Sequence, residues 1–443
     1  MERLALMPKY EAYKNSGVEW LGAIPVHWNS FPLCAKSKLK SISNNENEEL
    51  LSVYLDKGVI KFDDVDAKRT NATSSDLTKY QLVEPGDFVL NNQQAWRGSV
   101  GVSDYRGIVS PAYLVLSLSE DIVPRFGNYL FRDGAMVANY LVSSKGVGTI
   151  QRNLYWPQLK RALVFLPPTE EQLLIACFLD KKTAQIDDAI AIKEQQISLL
   201  KERKQIIIQQ AVTQGLDPNV PMKDSGVDWI GMIPAHWVLK KIKHVASKIG
   251  SGVTPTGGGS TYLDDGIPLL RSQNIHFDRI DLTDVARISN KTHEGMSNSK
   301  VKKGDVLLNI TGGSIGRCYY VDSSDEMNVN QHVCIVRPNK IIKTVFLNAV
   351  LASEIGQGQI WYFQQGGGRE GLNFQALKNF YIALPPEAQQ VEIAEYIDEL
   401  EKEFYSAIQI QLMQIEKLKE YKTSLINSAV TGKIKITPEM VEQ

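Results

Sequence analysis

The sequence predicts an α+β fold in which two homologous, mainly β globules are separated by two long helices, packed as an antiparallel coiled coil with pseudo-two-fold symmetry. Three observations predict this fold. A segment near the start of the chain is repeated in the second half, a second pair of similar segments closes both halves, and each closing segment runs into apolar residues at heptad spacing.

The two halves open with nearly the same residues. SGVEWLGAIPVHW begins at Ser16, and SGVDWIGMIPAHW begins at Ser225. The halves also close alike, with LPPTEEQLLIACFLD from Leu166 and LPPEAQQVEIAEYID from Leu384. The closing segments lie farther apart than the openers, so the second copy is slightly longer than the first. Two copies argue against a solenoid, which needs three or more stacked units. The duplication therefore predicts two similar domains.

Each globule contains short runs rich in β-branched residues and separated by glycine. The first has LLSVYLDKGVIKF, FVLNN and AYLVLSL, and the second has VLLNITGG and HVCIVRP. Such runs are typical of strands joined by turns. A Gly-Asp turn recurs at Gly86 and Gly304, with the same spacing as the two closing segments. Each half is therefore predicted to be mixed and largely β.

A long helix is predicted after each globule. The Pro-Pro steps at Pro167 and Pro385 end the globules, because proline cannot donate to a sheet, and heptad-spaced apolar residues extend from about Thr183 to Thr213. A helix of about 30 residues spans roughly 45 Å, which favours pairing of the two helices over packing of each on its own globule. The predicted helix–helix seam consists of Ile190, Ile197, Leu200, Ile207, Ile408, Ile415, Leu418 and Leu425.

These boundaries divide the chain into four regions. Residues 1–165 and 216–383 form the two globules, residues 166–215 form a central helical region, and residues 384–443 form a C-terminal helical region. One turn of B-DNA is about 34 Å long, so two surfaces held apart by such helices would face successive major-groove segments of one duplex.

The composition limits the classes of protein to which the chain can belong. The chain has 443 residues, 43% hydrophobic and 22% charged, with a net charge of -1, so any affinity for DNA must come from local patches. There is no apolar run of about 18 residues and no recognisable signal peptide, which predicts a cytoplasmic protein without membrane contact. The four cysteines lack CxxC spacing and are expected to be reduced core thiols.

No catalytic group of residues is recognisable. Leucine precedes both Pro-Pro steps, where an amino-methyltransferase has Asp or Asn, and GGSIGR from Gly312 lacks the Gly-Lys-Ser/Thr of a phosphate-binding loop. His27 and His236 each precede a Trp without a third ligand nearby, so hydrogen-bonded side chains are expected there and no metal site. The chain is predicted not to be an enzyme. Two alternatives to this prediction stay open. The chain could be a stand-alone DNA-modifying enzyme, or it could be a scaffold that binds other proteins.

Several loops combine Arg, Asn, Gln and Ser with glycine. Such side chains form bidentate pairs with guanine and adenine edges or hold phosphates. The predicted DNA-binding residues are Gln93, Arg97, Ser99, Gln151, Arg152, Thr254, Arg271, Ser272, Thr311, Ser314, Arg317, Asn330, Gln331 and Arg369. No residue is predicted to be catalytic.

The repeated segments, in the order in which they occur along the chain, resemble the specificity (S) subunit of type I restriction-modification systems. The resemblance covers nearly the whole chain. The similarity lies in the two openers, the LPPTEEQ and LPPEAQQ steps into long helices, and the helix ends QQAVTQG and NSAVTGK. In the second globule, SGVTPTGGGSTYLDDGIPLLRSQNI, VKKGDVLLNITGGSIGR and NQHVCIVRP also follow the family pattern. The first globule departs from it, with LLSVYLDKGVI in place of the SGVTP and IPLLRS stretch.

The resemblance implies two target recognition domains, each reading one part of a bipartite, asymmetric DNA site. It implies no chemistry and no bound cofactor in this chain. Two modification subunits would bring S-adenosylmethionine and methylate adenine at N6, and restriction subunits would use ATP and Mg to translocate and cut DNA. The implied partners are therefore double-stranded DNA, the modification subunits and the restriction subunits.

Overall fold

The computed structural model describes residues 4, 6–19, 21–55, 57–64, 76–146, 152–255, 259, 262–364 and 371–442. The chain forms two compact units. The first unit is Met1–Lys193 with Leu412–Gln443, and the second is Glu194–Gln411. Each unit therefore combines one globule with the first part of one long helix and the last part of the other.

The first globule contains short strands and short helices. In chain order they are β1 (Tyr13–Asn15), β2 (Ala23–Pro25), β3 (Asn29–Pro32), β4 (Ser37–Lys40), β5 (Leu51–Tyr54), β6 (Gly58–Lys61), β7 (Gln81–Val83), β8 (Phe88–Asn91), β9 (Val100–Val102), β10 (Gly107–Val109), β11 (Tyr113–Leu118), α1 (Pro124–Arg132), α2 (Gly134–Val142), β12 (Ser144–Lys145), β13 (Asn153–Leu154), α3 (Trp156–Leu159) and β14 (Leu163–Leu166). The long helix α4 (Thr169–Gln214) follows.

The second globule has a similar order of elements. They are β15 (Met222–Asp224), β16 (Met232–Pro234), β17 (Val238–Lys241), α5 (Ile242–Val245), β18 (Ala246–Ser251), β19 (Ile267–Leu270), β20 (Ala286–Ile288), α6 (Asn290–Gly295), β21 (Val306–Asn309), β22 (Cys318–Tyr320), β23 (Asn328–Val329), β24 (Val333–Pro338), α7 (Thr344–Ala352), α8 (Glu354–Gln364), α9 (Phe374–Lys378) and β25 (Tyr381–Leu384). The long helix α10 (Glu387–Val430) and the short α11 (Pro438–Glu442) complete the described chain.

Each unit is built around a four-stranded antiparallel sheet with the same strand order. The order is β4-β11-β8-β9 in the first unit and β18-β24-β21-β22 in the second. Strand β8 begins at Phe88, two positions after Gly86, and β21 begins at Val306, two positions after Gly304. The equivalent strands thus follow the equivalent Gly-Asp turns, so the repeat in the sequence corresponds to a repeat of this sheet.

A pair of strands closes each globule. The strand that follows the opener pairs antiparallel with the strand that precedes the Pro-Pro step, as β3 with β14 and β17 with β25. Asn29 is thereby paired with Leu166, and Val238 with Leu384. The Pro-Pro step therefore ends a paired strand, where the missing N–H of proline disrupts no further ladder bond.

Each long helix begins directly after its Pro-Pro step, as the sequence predicted for the first, and extends beyond its heptad region of about 30 residues. Helix α4 has 46 residues and α10 has 44. In α4 the first turns bury Ile175 and Phe178 in the core of the first unit, and in α10 they bury Ile393 and Ile397 in the core of the second. Each helix thus packs on its own globule before its heptad region begins. No helix in the described ranges is long and apolar enough to cross a membrane.

Within each unit, a segment of α4 packs against a segment of α10 with the opposite chain direction. In the first unit the Nζ atom of Lys422 lies 2.7 Å from the carboxylate of Asp187, and in the second Lys204 Nζ lies 3.6 Å from Glu401. Of the seam residues, Ile197, Ile415 and Leu425 are buried, and Ile190, Leu200, Ile207, Ile408 and Leu418 are half-buried. The predicted α+β class with paired long helices is confirmed.

The end of a helix completes the core of each unit. Ala211 and Val212 of α4 join the core around Trp237 in the second unit. Leu425 of α10 joins the core around Trp28 in the first unit, and Ile434 follows it after the helix ends. The backbone N–H of Lys435 donates to the carbonyl of Pro8 over 2.8 Å. The C-terminal segment is therefore part of the first unit.

Candidate nucleic-acid interface

In the second unit, several loops meet at one edge of the four-stranded sheet. Strands β18 and β21 end at this edge and β22 and β24 begin there, because neighbouring strands are antiparallel. The ends of β19 and β23 are joined to the same edge, since Asn330 N donates to Leu270 O over 3.0 Å and Gly252 N donates to Asn330 O over 3.1 Å. The predicted residues that lie in these loops are Thr254, Arg271, Ser272, Thr311, Ser314, Arg317, Asn330 and Gln331.

Side chains from three of these loops form one hydrogen-bonded chain. Thr254 Oγ1 contacts Gln331 Oε1, and Gln331 Nε2 lies 2.9 Å from His332 Nε2. The other ring nitrogen of His332, Nδ1, lies 2.6 Å from Thr311 Oγ1. Thr254 and Gln331 are exposed, whereas His332 and Thr311 are half-buried. This series of hydrogen bonds therefore runs from the half-buried part of the loop cluster to its surface.

Buried asparagines hold these loops in place. Asn309 is fully buried, and its Nδ2 donates to Ser272 O over 2.8 Å and to Ser314 Oγ over 3.2 Å. Asn330 is 7% exposed, and its Oδ1 accepts from the backbone N–H of His332 over 3.0 Å. Asn330 was predicted to contact DNA, but the structure places its side chain inside, where the hydrogen bond to the backbone shapes the loop that carries Gln331.

Two arginines of the second unit lie at this edge. Arg271 follows β19 and is half-buried, with its Cζ atom 5.7 Å from the centroid of the Tyr262 ring. Its backbone N–H donates to Asn274 Oδ1 over 3.0 Å. Arg317 precedes β22 and is also half-buried, and its carbonyl accepts from the N–H of Asn309 over 2.8 Å. Ring contact limits the rotamers of Arg271, which lowers the entropy lost when its guanidinium binds an acceptor.

In the first unit, the corresponding edge carries an aromatic side chain flanked by two cations. The loop between β8 and β9 places Trp96 so that the Cζ atom of Arg97 is 4.6 Å from its ring centroid, and that of Arg152 is 5.6 Å away. The indole N–H donates to the carbonyl of Gln93 over 3.0 Å. Gln93 and Arg97 are exposed and Arg152 is half-buried. These contacts bring three predicted residues together.

Ser99 ends the same loop but faces inward. It is 5% exposed, and its Oγ donates to the carbonyl of Val53 over 2.8 Å. The sequence predicted a DNA contact at this position. The structure instead gives the hydroxyl a buried backbone acceptor, so that Ser99 ties the loop of Arg97 to strand β5.

A cleft of about 570 Å³ adjoins this edge of the first unit. Gln93 and Arg97 lie on its wall beside Tyr80 and Tyr113. Burial raises the pKa of the Tyr113 phenol. The cleft therefore combines aromatic surface, an amide and a guanidinium, the groups that proteins use to contact bases and phosphates.

The predicted residues and the residues that form the two loop clusters do not fully coincide. Gln151 and Arg369 lie outside the described residues. The sequence predicted no individual role for His332, Asn309 or Trp96. Trp96 and His332 could have been found because each adjoins a predicted residue, and Asn309 because it is the equivalent of Asn91 in the repeat. Composition alone gave no reason to choose them among the many polar and aromatic loop residues.

A cluster of acidic and imidazole groups lies elsewhere in the second unit. The ligand atoms of His293, Glu294 and Glu326 lie within 4.8 Å of one another. Asn328 Nδ2 lies 2.6 Å from His293 Nδ1, so the amide donates, Nδ1 accepts, and the ring proton lies on Nε2. Nε2 faces Glu326 at 3.8 Å, while Lys300 Nζ is bound to Glu294 at 2.6 Å. In this arrangement the imidazole has no free lone pair for a cation.

A segment of the second unit is similar to a known protein domain. A family model described as the type I restriction modification DNA specificity domain matches residues 234–416, which include the loops of the second unit. This segment of the chain is therefore similar to the type I restriction-modification specificity domain. The resemblance seen in the sequence is thereby confirmed.

Relatives of the specificity family extend the match to both halves. The type I restriction enzyme EcoBI specificity subunit of Escherichia coli is 32% identical over 265 residues, 56% of this chain and 55% of that protein. The type I restriction enzyme MjaVIII specificity subunit of Methanocaldococcus jannaschii is 25% identical over 413 residues, 90% of each chain. The match thus spans about half the length of the first relative and nearly all of the second.

A solved structure shares the fold of this chain. It is described as the structural basis underlying complex assembly and conformational transition of the type I R-M system. The TM-score is 0.66 at 15% identity, covering 92% of this chain and 98% of the other. At this identity the match concerns the fold.

Proposed function

We propose that the chain is a non-catalytic, sequence-specific DNA-binding subunit of a type I restriction-modification complex. It recognises a bipartite, asymmetric site with one globule per half-site. It directs adenine-N6 methyltransferase and endonuclease subunits to that site. The chemistry belongs to those subunits.

One observation carries the proposal. The same four-stranded sheet occurs in both units, and in both the loops at the same edge carry predicted DNA-binding residues, Gln93 and Arg97 in the first and Thr254 and Gln331 in the second. Loops at one edge of a rigid sheet can approach a groove together, and the side chains there match base edges and phosphates. Different loop residues on equivalent sheets fit a site whose two halves differ.

The partners and cofactors follow from the same proposal. Two modification subunits bind the chain and carry S-adenosylmethionine, and restriction subunits carry ATP and Mg. The chain itself binds no cofactor. The target adenine must leave the base stack to be methylated, so the recognition loops must bind a duplex that is distorted nearby.

The direct test is methylome sequencing of a host that expresses the modification subunit with and without this chain. Adenine methylation at a bipartite motif is expected only when both are present. Purified chain should transfer no methyl group from S-adenosylmethionine to DNA by itself. Transfer without the modification subunit would contradict the proposal and favour a stand-alone enzyme.

A domain exchange tests the assignment of one globule to each half-site. Replacing residues 14–165 with the equivalent segment of a relative should change one half of the methylated motif and leave the other half unchanged. The matched control exchanges the second globule and should change the opposite half. A change of both halves in either chimera would show that readout is not divided between the globules.

A further inference from the structure

A series of hydrogen bonds connects the side chains of Thr254, Gln331, His332 and Thr311. Two nitrogens, Gln331 Nε2 and His332 Nε2, face each other at 2.9 Å. An amide nitrogen always carries hydrogens and never accepts, so the amide donates and the imidazole Nε2 accepts. The ring proton then lies on Nδ1 and donates to Thr311 Oγ1 over 2.6 Å.

The same chain fixes the side-chain amide of Gln331. Its Oε1 accepts from the hydroxyl of Thr254, and its Nε2 donates one hydrogen to His332. An amide oxygen has two lone pairs and an amide nitrogen has two hydrogens. One acceptor site and one donor hydrogen therefore remain on an exposed side chain. Because each end of the amide has a partner, the contacts with Thr254 and His332 hold the plane of the amide in place.

An adjacent donor and acceptor on one amide match adenine. In the major groove, glutamine accepts from adenine N6 and donates to adenine N7, and no other base offers that pair of groups to it. We propose that Gln331 reads an adenine in the half-site bound by the second unit, and that His332 is the positioning residue that holds its amide in the reading orientation. The proposal rests on the proposed function, since it assigns a base contact within that DNA site.

The first test uses the full chain assembled with its modification subunits and duplexes in which each base pair of the second half-site is replaced in turn. Gln331→Ala should lower the preference for adenine at one base pair by about 5- to 150-fold and leave the other base pairs discriminated as before. Gln331→Glu, which only accepts, should shift preference at that pair toward cytosine, whose N4 donates.

A base analogue separates a direct contact from a general loss of structure. Replacing that adenine with 7-deazaadenine removes N7 and should weaken binding by the wild-type complex. Gln331→Ala should bind both duplexes equally, because it has no donor to lose. An equal response of wild type and variant to the analogue would overturn the adenine contact.

The role of His332 is tested through Gln331. His332→Phe keeps the ring volume but removes both nitrogens, and it should relax preference at the same base pair only. In the Gln331→Ala background, His332→Phe should change that preference no further, because the amide it positions is gone. A further change in the double variant, or a change at other base pairs, would show that His332 acts elsewhere. Thermal unfolding of each variant checks that the second unit is folded.

Failure of the inference differs from failure of the proposed function. If Gln331→Ala leaves preference unchanged at every base pair while the complex still methylates its motif, the adenine contact is wrong and the DNA-binding role stands. If the wild-type complex methylates no motif, the proposed function is wrong, and the inference is lost with it.

Discussion

The indole Nε1 of Trp28 donates a hydrogen bond to Oε1 of Glu171 over 3.1 Å. His27 Nε2 lies 2.7 Å from the other carboxylate oxygen. In the second unit, Trp237 and His236 contact Oε1 of Gln389 in the same way, at 2.9 and 2.8 Å. The histidines are therefore hydrogen-bonded, as the sequence predicted, and the start of each long helix is tied to the opener of its own globule by an oxygen acceptor.

This equivalence predicts that the acceptor matters more than its charge. Glu171→Gln should change the free energy of unfolding by no more than about 0.5 kcal/mol, because Gln389 fills the same position in the second unit. Glu171→Leu leaves the buried indole N–H without a partner and should cost about 1–3 kcal/mol. Denaturant titration of both variants measures the difference. Equal loss in both would mean that the carboxylate charge is required.

Arg337 and Asp305 form a buried ion pair beside the second Gly-Asp turn. The carboxylate of Asp305 is fully buried and lies 2.7 Å from Arg337 Nε and 2.9 Å from Nη2. Arg337→Ala should destabilise the second unit by about 3–5 kcal/mol, because it leaves the buried carboxylate of Asp305 without its cation. Arg279→Ala, which removes an exposed ion pair with Asp278, is the control and should cost less than about 1 kcal/mol. A similar loss of stability in both variants would contradict this assignment.

Gly252 controls how closely β18 approaches the loop of Asn330. A Cβ atom at Gly252 would lie 1.7 Å from the carbonyl oxygen of Val329. Gly252→Ala must therefore displace backbone, and it should cost about 1–3 kcal/mol or more and weaken binding to one half-site. Gly250→Ala is the matched control, since no heavy atom lies within 4 Å of its added Cβ. Melting temperatures and DNA affinity of the two variants should diverge; matching values would show that this approach is not required.

Arg97 is the predicted contact of the first unit that is both exposed and fixed by a ring. Arg97→Ala should reduce DNA affinity by about 1–3 kcal/mol and relax preference in one half-site if the guanidinium reads a base. Uniform loss across sequences with a salt slope lower by about one would instead identify a phosphate contact. The control is Arg106→Ala, at the opposite edge of the sheet, where the guanidinium is paired with Glu48 and Glu84. No loss for Arg97→Ala in the assembled complex would remove Arg97 from the interface.

The cysteines differ in reactivity. Burial raises the pKa of the Cys318 and Cys334 thiols to about 12 in each case. Cys34 is exposed and Cys177 half-buried, so the expectation of four core thiols was wrong for these two. Iodoacetamide at about pH 8 reacts with thiolate, and should therefore label Cys34 in the folded protein before Cys318 and Cys334. Peptide mass spectrometry gives the order, and denatured protein should lose it. Labelling of Cys318 at the rate of Cys34 would contradict its burial.

The sequence by itself determined the repeat, the strands, the two long helices and the resemblance to the specificity family. These features are local, because an apolar residue at every second or every third and fourth position places one face of a strand or helix against a core regardless of the rest of the chain. The Gly-Asp turns at Gly86 and Gly304 were found from their spacing in the repeat. Seam residues such as Ile197 and Leu425 were found from their heptad spacing. The start of α4 was found from the Pro-Pro step, although its first turns bury Ile175 and Phe178 without continuing the heptad pattern.

The tertiary structure decided which loop residues meet and which way they face. Thr254, Thr311 and Gln331 are brought together only by the strand order β18-β24-β21, which residue spacing does not encode. Ser99 and Asn330 are as polar as their exposed neighbours, but their side chains form hydrogen bonds with backbone groups. Ser99 Oγ donates to the carbonyl of Val53, and Asn330 Oδ1 accepts from the N–H of His332. The C-terminal segment joins the first unit because Ile434 needs an apolar partner, and the core around Trp28 supplies it. Hydrogen bonding and burial between distant segments settled these points.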